Sequence, residues 1–130
     1  SIYEIDYDKK FIIGLTEGIT IAEFKKNISY EGYNLKFKNY VGTEVTSGKI
    51  GTGASVLILS GEDLIYEFKT VLIGDLTGEG NINSRDITAL YNHLFESKKL
   101  ENEYFLAADI NKDGEVNTLD LLLLKQMIVS

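Results

Sequence analysis

At 130 residues the chain has room for one domain or two small ones. It contains no cysteine, which excludes disulfide staples and zinc–thiolate sites. Its formal charge of −7 argues against nucleic-acid partners, which need basic clusters, and no apolar run reaches the length of a membrane span.

In chain order, Tyr3 to Tyr7 alternates apolar and polar residues, the mark of a half-buried strand, and Phe11-Ile12-Ile13 is a second apolar run. Thr20-Ile21-Ala22-Glu23 is a capping box opening a short helix, on which Ile21, Phe24 and Ile28 share one face. Leu35 and Phe37 alternate with Lys36 and Lys38 in another strand. Gly48-Lys49-Ile50-Gly51-Thr52-Gly53 lacks the Gly-Lys-Ser/Thr ending of a phosphate-binding loop and reads as a pair of tight turns. Val56–Leu59 reads as a buried strand, Gly61-Glu62-Asp63 as a turn, and Leu64, Tyr66, Phe68, Thr70 and Leu72 as one face of a long strand. Tyr3, Tyr7 and Tyr66 suit strand cores, while Tyr30, Tyr33 and Tyr40 lie near loops, where a sugar-binding platform stays open as an alternative. From Asp86 onward Ile87, Leu90, Tyr91 and Leu94 make a helical stripe; Leu121, Leu124 and Ile128 repeat it, and Glu101 to Ala108 reads as a linking helix. His93 lies off the stripe with no partner at ligand spacing, and no nucleophile–base or carboxylate pair suggests catalysis. The fold class expected is α+β: a small sheet module with one short helix over residues 1–72, followed by an all-α segment over 73–130. No flexible run separates them at Ile73-Gly74, so the two are expected to pack together.

Two stretches 34 residues apart read almost alike. In 75–86 oxygen-bearing side chains fall at the first, third, fifth, ninth and twelfth places: Asp75, Thr77, Glu79, Asn83 and Asp86. In 109–120 they are Asp109, Asn111, Asp113, Asn117 and Asp120. Both have glycine sixth and a β-branched residue eighth; the seventh residues, Asn81 and Glu115, offer backbone carbonyls. Calcium takes six to eight oxygen ligands, and alternate oxygen donors around a sharp glycine turn can wrap one ion. The cofactor expected is therefore Ca²⁺, two ions, one per loop. Ten acids face five bases in 73–130, against ten and eight in 1–72, so bound cations would offset most of the C-terminal excess. The twelfth residue is Asp where an EF-hand has Glu, and a strand, not a helix, precedes the first loop. Thr77 and Glu79 are the poorer donors, so weaker binding is expected in the first loop than in the second. The competing reading is a pair of Asx-rich turns that cap helices.

With Gly74-Asp75, the duplicated loops and helices and the Ala107-Ala108-Asp109 approach, residues 73–130 (repeats 75–96 and 109–130) resemble a dockerin. Residues 1–72, with Gly14-Leu15-Thr16-Glu17-Gly18-Ile19-Thr20 and Gly51-Thr52-Gly53, resemble the X-modules that precede dockerins in some clostridial surface proteins. The resemblance implies a non-enzymatic, secreted or cell-surface unit that docks onto a cohesin domain in a cellulosome-like assembly, with the first module as buttress. It implies recognition by Ser84, Arg85, Tyr91 and Asn92 in the first copy and by Thr118, Leu119, Lys125 and Gln126 in the second. Leu122 belongs to the same helix, which is apolar nearly all round. The two sets differ, so one docking orientation is expected to dominate over its half-turn alternative. A calcium-stabilised spacer without a specific partner, or carbohydrate binding by residues 1–72, are the other functions open. No signal-peptide pattern opens the chain, and Ser1 is expected to be an internal start within a longer protein.

Overall fold

The computed structural model describes residues 3–28, 32–96 and 99–129. Six strands form one sheet: β1 (Glu4–Asp6), β2 (Phe11–Ile13), β3 (Asn34–Lys38), β4 (Glu44–Val45), β5 (Ser55–Ser60) and β6 (Asp63–Val71). Their order is β1-β2-β6-β5-β3-β4. The β2–β6 pair is parallel and the others antiparallel, so the sheet is mixed. The four helices are α1 (Ile21–Asn27), α2 (Ser84–Phe95), α3 (Asn102–Ala108) and α4 (Thr118–Val129).

The expected fold class, α+β with an all-α C-terminal segment, does not hold. The molecule is a mixed α/β arrangement of a six-stranded mixed sheet and four helices, and its C-terminal segment is not all-α. Residues 72–83 run without regular structure from β6 to α2 and are bonded back to the strand connections. Helix α3 packs on the sheet, with Ala107 among Phe11 and Val71. The sequence misleads here because helical periodicity reports a helix's apolar face but not the element that covers it.

Helix α1 begins as its capping box requires. Thr20 Oγ1 accepts from the Glu23 amide (3.3 Å), and the Glu23 carboxylate accepts from the Thr20 amide (3.3 Å). Its Ile21, Phe24 and the following Ile28 are buried on the sheet. Phe24 stacks on Tyr3 and meets Phe37 edge-on. Val56, Ile58 and Phe68 complete this core. A second cluster joins Leu76, Leu90, Ala108 and Leu124 beneath the helices that follow the two acidic loops.

Several expectations on single residues need correction. Leu64 is about half exposed, at the end of β6 where the β5–β6 register shifts between Ile58 and Leu59. Tyr7 lies outside the core, at 48 % exposure, with its ring edge against Tyr66 and Phe68. Tyr91 is 49 % exposed rather than part of a buried stripe; Leu90 alone on α2's apolar side is fully covered. Tyr30 lies outside the described residues.

Candidate metal centres

Each acidic loop is organised by its first and last carboxylates. In the first loop Asp75 Oδ1 accepts from the Gly78 amide and Oδ2 from the Gly80 amide, both at 3.0 Å. In the second, Asp109 Oδ1 accepts from the Asp113 amide (3.2 Å) and Oδ2 from the Gly114 amide (2.9 Å). The sixth-place glycines Gly80 and Gly114 take φ of 83° and 88°, the left-handed region that lets the loop double back.

The twelfth-place carboxylates close the loops in the same way. Asp86 Oδ1 accepts from the Leu76 amide (2.8 Å) and Asp120 Oδ1 from the Ile110 amide (2.9 Å). Their Oδ2 atoms accept from the Asn83 and Asn117 amides at 2.8 and 2.9 Å. Asn83 and Asn117 in turn accept from the Arg85 and Leu119 amides, each at 3.0 Å, and so cap α2 and α4. The helix caps of the competing reading are therefore real, and they coexist with something caps do not need. Asp75, Asp86, Asp109 and Asp120 are all buried. The one salt bridge among the described residues joins Arg85 to Glu79 (2.7 Å) and reaches none of the four. Buried carboxylates without a countercharge are costly in the ionised form. Burial, with the Asp75 carboxylate adding to it, pushes Asp86 above its ordinary value despite the amide from Asn83.

The donor set suits a hard divalent cation. In the second loop carboxylate oxygens of Asp109, Asp113 and Asp120 lie within 4.8 Å of one another. Exposed Asp113 is held below its ordinary value, chiefly by the Glu115 amide. In the first loop Thr77 Oγ1 sits 3.4, 3.1 and 3.2 Å from Asp75 Oδ1, Glu79 Oε1 and Asp86 Oδ1. One hydroxyl proton cannot serve three carboxylates, whereas an ion beside them would. Oxygen-only donors in a flexible loop match calcium chemistry rather than that of softer metals. The Asn81 side chain accepts from Lys49 Nζ (3.0 Å).

Residues 73–129 match the family model of the dockerin type I domain. Dockerins are calcium-binding interaction modules that dock onto cohesin domains of extracellular or cell-surface proteins. The segment matched runs from just after β6 to the end of α4 and contains both loops. No curated protein and no solved structure matches the chain. No described helix is long and apolar enough to cross a membrane.

The residues expected to meet a partner are mostly at the surface of the matched segment. Ser84, Arg85, Thr118, Lys125 and Gln126 are exposed; Tyr91, Leu119 and Leu122 are 49 %, 47 % and 52 % exposed; Asn92 is half-buried. Arg85 is engaged with Glu79 across the first loop. Sequence reasoning missed Phe95, 56 % exposed, whose ring lies 4.8 Å from Tyr91; the i, i+4 spacing of two aromatics was the available signal. It also missed the structural use of His93, whose Nδ1 accepts from the Leu100 amide (2.8 Å) and ties α2 to the approach of α3. Burial, then nearby Lys99, lowers the pKa of that imidazole, consistent with its accepting role.

Proposed function

We propose that the chain is a calcium-dependent docking unit in two parts. Residues 73–130 form the dockerin, with one Ca²⁺ in 75–86 and one in 109–120. Residues 1–72 form an X-module-like buttress. The ligands are Asp75, Thr77, Glu79, Asn83 and Asp86 with the Asn81 carbonyl, and Asp109, Asn111, Asp113, Asn117 and Asp120 with the Glu115 carbonyl. Calcium orders the loops, the loops fix α2 and α4, and those helices present the face that a cohesin covers. Such a unit would attach a secreted protein to a cellulosome-like or cell-surface assembly.

The observation that carries this reading is the repetition, loop for loop, of buried carboxylates that no salt bridge reaches among the described residues. Exposed Tyr91 and Phe95 on α2 and Leu119 and Leu122 on α4 support an apolar contact face. The chemistry of that face differs between the copies, aromatic on α2 and aliphatic on α4, which favours a single docking orientation.

An array of cohesins, probed with the chain in calcium and again in EDTA, tests it. Capture that vanishes on chelation is expected. Calcium binding without capture by any cohesin would leave only the spacer reading. Calorimetric titration of Asp75→Ala and Asp109→Ala tests the ranking of the loops. Glu79 is shared with Arg85, and the first loop has no carboxylate triad as close as that of the second among the described residues. The Asp109 variant should therefore lose the tighter site, and equal losses would overturn the ranking.

A further inference from the structure

The loops share the bond from the sixth-place glycine to the first carboxylate and the closing bonds of the twelfth, but differ in what surrounds them. Among the described residues Asp109 Oδ2 accepts from its own loop, through Gly114. Asp75 Oδ2 accepts from Gly80 and also from the amide of Thr52, 23 residues earlier, at 3.0 Å. The fit at that point is close. A Cβ on Gly51 would lie 2.0 Å from Asp75 Oδ2 and 2.4 Å from the Gly80 nitrogen, and Gly51 is not in the left-handed region. It is steric room that keeps this position a glycine.

Further contacts grip the same loop from outside. The Gly18 amide donates to the Gly80 carbonyl (2.9 Å), and the Ile82 amide donates to Glu17 Oε2 (2.7 Å). The Tyr40 ring closes over Gly78, where an added Cβ would meet its Cγ at 2.8 Å. Thr52 is itself fixed, its hydroxyl donating to the Leu72 carbonyl (3.1 Å) while the Leu72 amide donates back (3.0 Å). Among the described residues no hydrogen bond from 1–72 reaches the second loop, whose residues 111–115 are exposed.

We infer that residues 1–72 complete the first metal centre. The Thr52 amide, admitted by the bare Cα of Gly51, is a positioning group for Asp75, and calcium binding at 75–86 is coupled to the packing of the two halves. Calcium binding at 109–120 is not coupled in this way. The inference rests on the calcium reading above. A hydrogen bond to the outer oxygen of a ligating carboxylate fixes its rotamer before the ion arrives, and loss of such a partner typically costs about 10–100-fold in metal affinity. By linkage the ion must tighten the contact by the same factor.

A calcium titration of the full chain carrying Gly51→Ala is the direct test. The added methyl wedges the Thr52 amide away from Asp75 without touching the second loop. The first-loop affinity should fall about 10–100-fold while the second stays within about twofold; an unchanged first-loop affinity overturns the proposal. A second arm leaves the contact intact. In Asp109→Ala, which isolates the first loop, calcium should slow hydrogen exchange at the Gly18 and Thr52 amides. Unchanged rates with calcium bound overturn the coupling even if Gly51→Ala disturbs the fold. If neither loop of the unaltered chain takes calcium, the metal reading itself falls, and the coupling with it.

Discussion

Lys112 stands in the second loop where Gly78 stands in the first, and both are left-handed, with φ of 59° and 89°. A side chain there costs about 1–2 kcal/mol, while a glycine costs about 0.5–1 kcal/mol in unfolded-chain freedom. Lys112→Gly should therefore gain about 0.5–1 kcal/mol by urea unfolding in EDTA. Asp86 gives a prediction of opposite character. Its folded pKa is raised, first by burial. The proton is thus held more tightly in the fold than in the unfolded chain. Its contribution to ion-free stability is fully present below the unfolded carboxylate value and is lost as pH rises through the raised one. In EDTA, the unaltered chain should lose stability relative to Asp86→Asn as pH climbs from about 4 toward neutrality. Parallel urea midpoints would refute this. On the proposed reading, bound calcium would supply at neutral pH the neutralisation that the proton supplies in acid.

At the scale of elements, α2 and α4 open with the same cap, and α4 is the better place to measure it because, among the described residues, no hydrogen bond ties its loop to residues 1–72. Asn117→Ala should cost about 1 kcal/mol in EDTA. Leu124, fully buried between the helices, should cost about 2–5 kcal/mol on truncation to alanine, measured by thermal unfolding. How much of this was readable in the residues depends on range. Thr20–Glu23 and the Asn83 and Asn117 caps that close the two acidic loops were legible because caps are local patterns, fixed by spacing within a few residues. The parallel pairing of Phe11–Ile13 with Lys69–Val71 was not, since no local signal in either strand names its partner across the intervening chain. Two-residue β4 is too short to show alternation. Alternation in β6 gave the correct face but not its cover: α1, seven residues, spans about 10 Å, whereas nine-residue β6 runs about 30 Å. Leu64, at the start of β6, is half exposed. Gly51 and Thr52 read as a turn because their role appears only when Asp75 arrives from elsewhere in the chain.

For the whole molecule, the contacts of Glu17, Lys49 and Thr52 with the first loop tie residues 1–72 to the segment 73–129. Calcium at about a hundred times its dissociation constant should add about 2.7 kcal/mol per site. Calorimetry should show one transition in calcium, shifted down in EDTA; two well-separated transitions in calcium would mean that the halves unfold independently. The rim of the sheet has a consequence of another kind. It ends in β1, three residues with acids at both ends, and in β4, two residues beginning with Glu44. Such stubby, negatively charged borders offer almost no template for a foreign strand. The edge left for another chain to meet is Asp63–Phe68 of β6, which β2 does not pair.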